Sequence, residues 1–582
     1  MRLNDRVVRS VIVGLLLTLV LAACAPAAPS GGPAPAGDQA SGAASSPART
    51  KRVTAAILGD PRTLRNAVNA AGGAGQAPGV DTVEELLNVG LVTLDAKARL
   101  HPRLAEAVPT VENGLWKLLP DGRMETTWKL RPNARWHDGA PFTSDDLAFT
   151  ATVGQDRDLR IFRDSVYDVI ESIQTPDPAT VTVLWKRPYI EADILFSHLT
   201  ASSTVPLPQH ILGRSFADDK EGFLLLSYWG TDFVGTGPYR LKSFVHGSHV
   251  VMEANEGYVL GRPKLDELEV KFIPDSNTMI GAVLAGAVEL TLGRNLSLEQ
   301  GLQVRNQWRD GRVEFDNSLW MAIFPQFVNP DPPVVTDLRF RRALYHAIDR
   351  QAMVDTIQSG MGTVAHSIVI PAIPEYANVE QRAVRYEYDP RRAAQLIEEI
   401  GYRRGGDGFM RDSGGRVLGL ELRTTKEAHN EEALYPVADY WQRVGVQVDP
   451  LVIPPQRISD RPFRAQFPGF EVIGQPNTIK ALSRLRLAQT PLPEGNFAGV
   501  NRARYMNPEF EAMLERFFTT IPLRERGEAL AQVIHHMTDQ LVWMGLYHEV
   551  NPSLFSNRLL AVTARVADGT QAWNAHEWDL AP

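Results

Sequence analysis

Two periods of apolar spacing alternate along most of this chain. A period of two marks strands at Val53 to Leu58, Val181 to Trp185 and Leu268 to Ile273. Tyr239 to Phe244 and Ser248 to Glu253 flank His246-Gly247, the pattern of a hairpin. Trp128 to Leu130 and Arg135 to His137 predict two short strands around Pro132-Asn133, with Asp138-Gly139 as a turn. Leu418 to Arg423 and Val446 to Val452 add two more strands. Helical spacing covers Val83 to Val89 and Asn277 to Ala285. Ser144 is placed to cap a helix with Asp145 and Asp146 in its first turn. After Asp337, residues Leu338, Leu344, Ile348 and Ile357 predict one amphipathic helix with its arginines mostly outward. Asp389-Pro390 and Asn507-Pro508 are N-caps followed by proline at the first helical position. Ala393, Leu396, Ile397 and Ile400 form a stripe behind the first, and Phe510, Met513, Leu514 and Phe517 behind the second. Strands and helices interleave without an internal repeat, so the fold class is α/β.

Before residue 52 neither period operates. Arg2, Arg6 and Arg9 precede Val11 to Leu21, eleven residues without a charge. That run is shorter than the roughly 20 residues of a membrane span and fits the core of a secretory signal peptide. Leu21-Ala22-Ala23-Cys24 resembles the bacterial lipobox, in which the cysteine is lipidated and becomes the first mature residue. Ala25 to Thr50 is mostly Ala, Pro, Gly and Ser, the composition of a flexible tether. The expectation is a signal peptide over 1–23 and a lipidated Cys24 with linker over 24–51. That describes an exported bacterial lipoprotein in the periplasm or on the outer face of the cytoplasmic membrane.

Composition narrows the picture in three places. A chain of 582 residues is too long for one core. A net charge of -8 argues against nucleic acid as the main partner. Cys24 is the only cysteine, which excludes an internal disulfide and cysteine-rich metal frameworks.

Several stretches match a known family in order and spacing. Trp128 to Leu147 (WKLRPNARWHDGAPFTSDDL) is the most specific. Gly235 to Leu241 (GTGPYRL), Asn255 to Tyr258, Gly261 to Asp266, Thr336 to Arg350 (TDLRFRRALYHAIDR), Tyr388 to Ala393 and Asn507-Pro508 follow. Over residues 52–582 the chain resembles the family 5 extracellular solute-binding proteins, the oligopeptide, dipeptide and nickel receptors of ABC importers. The resemblance implies a two-lobed periplasmic-binding-protein fold with an extra subdomain inserted in lobe one and two hinge crossings. Lobe one is expected over 52–91, 206–312 and 549–582, the inserted subdomain over 92–205 and lobe two over 313–548. It also implies capture of a peptide or peptide-like solute between the lobes, delivery to ABC permease subunits and a monomeric chain without cofactor.

In the peptide-binding members of that family an aspartate of lobe two pairs with the peptide's amino group. Here the corresponding stretch reads Gly474-Gln475-Pro476-Asn477, with no aspartate. Gln475 and Asn477 can still hydrogen-bond a neutral polar group. Around them, Gln456 to Arg504 holds eight arginines and lysines, Arg457 among them, against Asp460, Glu471 and Glu494. That balance suits either an anionic solute held by guanidinium forks or a solvated, internally paired face. Trp320 and Trp229 are candidates for stacking on a ligand or for core. His366, Asn496 and Phe497 are loop candidates, and Trp441 is expected in the core.

His137-Asp138 reads as a turn whose polar groups bond the backbone. Gly235 and Gly237 read as positions that a side chain would obstruct. His535-His536 point to different sides of a helix and share no metal. Paired acids such as Glu84-Glu85 read as helix faces. No hydrolase or nucleotide motif is present, so the chain is expected to be no enzyme. The rival to import is a sensor that passes its closed state to a signalling partner, and a secreted hydrolase ranks below that.

Overall fold

The computed structural model describes residues 50–69, 78–200, 203–371, 376–458, 460–565 and 569–582. The expected signal peptide, Cys24 and the tether up to residue 49 lie outside them. β1 (Arg52–Ile57) buries Val53, Ala55 and Ile57, and α1 (Val80–Leu87) packs on the same core. A separate antiparallel sheet follows. Its strands are β2 (Trp116–Leu118), β3 (Met124–Lys129) and, after α2 (Ser144–Gln155), β4 (Ile170–Asp177) and β5 (Thr180–Trp185), in the order β2-β3-β5-β4. This unit has its own core, with Trp116, Trp128, Trp136, Leu147 and Trp185.

After α3 (Gln209–Asp218) the chain returns to the first core through the hairpin β6 (Tyr239–Val245) and β7 (His249–Ala254), then β8 (Glu267–Phe272), α4 (Ser276–Leu284) and β9 (Leu290–Thr291). β1 pairs in parallel with both β8 and β9. The next strand, β10 (Gly311–Pro325), leads into a second set of elements: α5 (Leu338–His346), α6 (Arg350–Ile357), β11 (Thr363–Val364), α7 (Pro390–Glu399), β12 (Gly419–Thr424), α8 (Ala428–Arg443), β13 (Gln447–Val452), β14 (Phe470–Pro476), α9 (Pro508–Thr519) and α10 (Leu523–Asp539). β15 (Met544–Ser556) runs back.

One sheet of eleven strands joins both sets, in the order β13-β12-β14-β10-β15-β9-β1-β8-β7-β6, with β11 also on β15. Its two halves bury different cores. Val53, Leu268, Val270 and Phe555 belong to one; Met321, Phe340, Trp441, Phe470 and Tyr547 belong to the other. β10 and β15 therefore run from one lobe into the other, paired along most of their length. The lobe boundaries expected at 312/313 and 548/549 fall inside these two strands.

Local details differ from the sequence reading at four points. Arg135 to His137 is no strand; Arg135 makes a single bridge to Pro141, because His137 is turned to the backbone of Gly235 and Gly237. The cap of α2 is Thr143, not Ser144: Thr143 and Asp146 form a reciprocal capping box. The helix after Asp337 is two helices, because Asp349 accepts a hydrogen bond from Ala352 N–H and starts α6. Its arginines are not all outward. Arg341 is buried and donates to the Val335 and Gln540 carbonyls, and Arg350 is buried and donates to the Tyr386 carbonyl. Glu84 and Glu85 are no solvent face either. Both are buried, in ion pairs with Arg65 and Arg103.

The glycine motif has a plain steric reason. A Cβ at Gly235 would stand 2.1 Å from the Leu87 carbonyl oxygen, and one at Gly237 2.5 Å from that of Leu86. His137 fastens this close approach. Its Nδ1 accepts from Gly235 N–H at 3.2 Å and its Nε2 meets the Gly237 carbonyl at 3.1 Å. Burial lowers this imidazole to about 4, which keeps it neutral and able to do both.

Candidate ligand site where the lobes meet

β15 is apolar at both ends and polar in the middle. Leu546 and Tyr547 pack in one core and Phe555 in the other, while His548, Glu549 and Asn551 between them are also buried. Antiparallel pairing sets Trp320 opposite His548, Leu319 opposite Glu549 and Asp316 opposite Asn551. β10 carries an extra residue between Asp316 and Leu319, so its ladder breaks where the strands pass between lobes. Side chains alternate across a sheet. Trp320 and His548 share the face of Ala322 and Phe324, and Glu549 falls on the face of Tyr547.

Some of the buried side-chain polar atoms without a hydrogen-bond partner lie here: Trp320 Nε1, His548 Nδ1, Glu549 Oε2 and Asn551 Nδ2 on the two strands, Asn477 Oδ1 just beyond β14, and His366 Nδ1 just beyond β11. Each such atom costs about 1–3 kcal/mol when left unpaired. Each calls for an explanation, and a bound solute or an ordered water that supplies the partner is one.

Charges from several elements act on Glu549. Burial raises its carboxyl to about 7. Arg294, from the loop after β9 in lobe one, opposes the rise, while Asp316 and Glu427 add to it. Glu427 stands at the start of α8 in lobe two. His429, on α8, is lowered by burial, with Glu427 opposing and Arg294 reinforcing. Arg294 is lowered to about 10, by burial first and then by Arg565, against Asp316, Asp81 and Glu549. Asp81 is held low against burial by its 2.7 Å ion pair with Arg565. On the opposite face, burial brings His548 and His366 to about 4, and Arg350 reinforces the drop at His366. Both imidazoles are neutral at pH 7.

Residues 99–479 match the family model for bacterial extracellular solute-binding proteins, family 5 Middle. The chain belongs to this family. The oligopeptide-binding protein AppA of Bacillus subtilis is 26% identical over 376 residues, 64% of each chain. A putative ABC transporter peptide-binding protein of Brucella ovis is 28% identical over 294 residues, 49% of this chain and 51% of the relative. The matches thus span less than two thirds of these relatives' own length. The fold extends further: the structure of AppA from Bacillus subtilis in complex with a nonapeptide superposes with a TM-score of 0.72 at 20% identity, over 92% of this chain and 100% of that one. The architecture is the two-lobed periplasmic-binding-protein fold.

Within this family 5 chain, the crossing strands gather four of the candidates read from sequence. Trp320, Gln475, Asn477 and His366 lie there. Gln475 is opposite Trp320 in register and accepts from Arg484. The Asn477 amide donates to the Asn317 carbonyl, at the break in β10. Four candidates lie elsewhere. Trp229 is core: its indole N–H donates to the Phe223 carbonyl at 2.6 Å among Phe162, Phe223 and Tyr228. Arg457 lies 3.8 Å from the Phe463 ring centroid and pairs with Asp460 at 2.9 Å. Asn496 is exposed in a left-handed turn with Phe497 beside it.

Much of the basic segment is consumed inside lobe two. Arg464 and Arg502 share buried Glu471, and Arg486 holds Glu511 and Glu515. An open groove of about 730 Å³ between α2 and α3, lined by Asp145, Phe149, His210 and Phe216 among others, contains none of the unpartnered atoms.

Sequence reading missed Glu549, Asn551, Arg294 and His429. One signal was available for the first two. A His-Glu pair and an Asn inside a largely apolar stretch, 541–556, are out of place unless something uses them.

Proposed function

We propose that this chain captures a peptide or peptide-like solute between its lobes and delivers it to the permease of an ABC importer. The carrying observation is the set of unpartnered buried donors and acceptors on and beside the two crossing strands. Trp320 Nε1 and Asn551 Nδ2 donate; Asn477 Oδ1 and Glu549 Oε2 accept. A mixed set of this kind matches the alternating N–H and C=O groups of a peptide backbone. The paired state of Arg464, Arg486 and Arg502 favours this reading over a strongly anionic solute.

Lobe one takes 52–91, 206–312 and 549–582, with 92–205 inserted in it, and lobe two takes 313–548. Bending at β10 and β15 closes the lobes around the solute. Cys24 is lipidated, and the linker after it holds a monomeric receptor near the membrane from which the permease takes the solute. Its family consists of solute receptors, and the groups between its lobes bind rather than transform.

Native mass spectrometry of protein purified from its own host tests the reading. The expected result is a retained mass that fragments as a peptide. A retained solute without amide bonds overturns the peptide assignment, and turnover of the solute overturns the receptor assignment. Cys24→Ala is expected to release the protein from membranes into the soluble fraction.

A further inference from the structure

We propose that Glu549 is the anchor for a protonated amine of the solute. The inference rests on the peptide reading above and names the group by which the peptide is held.

The first ground is what the β14 segment cannot offer. Its one carboxylate, Glu471, is fully buried and already paired with Arg464 and Arg502. The next is what Glu549 does offer. Its side chain is 5% exposed and its Oε2 has no partner. Arg294 is the cation that acts on it, and that guanidinium is shared with Asp316 and Asp81. The titratable groups around Glu549 come from four directions: Arg294 from lobe one, Asp316 from β10, Tyr547 from its own strand, and Glu427, His429 and Glu432 from α8 and the residues before it. Carboxylates outnumber cations in that set, so a solute cation completes it.

Asn551, two residues along β15 on the same side as Glu549, leaves an unpartnered donor for the solute's next carbonyl.

The balance of protons makes the anchor visible. With a carboxyl at about 7, roughly half the solute-free molecules hold a proton on Glu549 at pH 7, and an arriving ammonium displaces it.

The test uses a short peptide with a free amino terminus and its N-acetylated twin, titrated calorimetrically into the full chain and into Glu549→Gln. The free-amine peptide is expected to bind wild type at least tenfold more tightly than its twin and to release about half a proton at pH 7 across two buffers. Glu549→Gln is expected to abolish both differences. Equal binding of the twins to wild type, or an undiminished preference in Glu549→Gln, overturns the anchor and leaves the receptor reading standing. If neither twin binds wild type, the peptide reading fails and the anchor with it. The wild-type pair decides the question even if the variant folds poorly.

Discussion

Two contacts among the described residues are built on opposite terms. At the crossing strands, buried donors and acceptors are left without partners. Far along the chain from those strands, the segment after β5 docks on α9 and the turn before α10, and there the bonds are made. Ile190 N–H donates to the Phe518 carbonyl at 3.0 Å, and Arg187 pairs with Glu515. Ala192 and Leu195 sit in the core of the four-stranded unit, while Ile190 sits in the lobe-two core with Leu514, Phe517 and Phe518. Ile521 packs against both cores. One contact is finished by the protein alone; the other needs something more. On the function proposed above, that difference separates holding the lobes together from holding the solute.

Breaking the finished contact is expected to have the largest effect. Ile190→Asp puts a carboxylate among Leu514, Phe517 and Phe518, and burying an unpaired ion costs several kcal/mol. The variant is expected to part the junction rather than bury the charge. Solute release should then quicken by about a hundredfold, equivalent to about 3 kcal/mol, and small-angle scattering should show a larger radius of gyration. Unchanged release from a folded variant would mean that the junction does not hold the lobes.

The unfinished contact is expected to announce itself through pH. The Glu549 carboxyl is raised from 4.5 to about 7. Between those values the folded chain binds more protons than the unfolded one, so this group's contribution is full below pH 4.5 and is lost as pH rises to 7. His548 and His366 fall from 6.5 to about 4, so their contribution is full above pH 6.5 and is lost as pH falls to 4. Denaturant unfolding of wild type and Glu549→Gln without solute separates these opposite slopes. The two proteins should be about equally stable near pH 4.5, and the variant should gain by up to about 3 kcal/mol as pH reaches 7. A difference that stays constant with pH would remove Glu549 from the account.

The same contrast marks what the sequence makes legible. Asp337, Asp389 and Asn507 cap their helices as local spacing predicts, because a cap needs only its own next few residues. The two-lobed class follows from ordered motifs such as the one that ties His137 to Gly235 and Gly237. The direction of Arg341 is not legible, because one of its two carbonyl partners, that of Gln540, is supplied by packing from a distant segment. Trp320 and His366 are legible as types out of the ordinary, but Trp229 looked the same and is core. Glu549 shows its meaning only once β15 is paired with β10 and Arg294 is brought from the other lobe. The site was half visible because half of it is made by long-range register.

Arg187→Ala probes the finished contact at its weakest bond. Arg187 and Glu515 are 40% and 32% exposed, so water screens their pair. Such pairs are worth about 0.2–1 kcal/mol. Two further features hold the value low. Burial and the nearby Arg486 both lower the Arg187 guanidinium, and Arg486 itself pairs with Glu515, so the acid keeps a partner when Arg187 is gone. Solute release is therefore expected to quicken only about two- to fivefold at low ionic strength. The effect should fade as salt shortens the screening length from about 10 Å at 0.1 M to about 3 Å at 1 M. Stopped-flow dissociation across that range checks it. A tenfold or salt-independent change would show that Arg187 acts through the backbone instead, by setting the turn that brings Ile190 N–H to the Phe518 carbonyl. In that case the apolar and polar parts of the junction would be one cooperative unit, and Ile190→Asp and Arg187→Ala would cease to be additive.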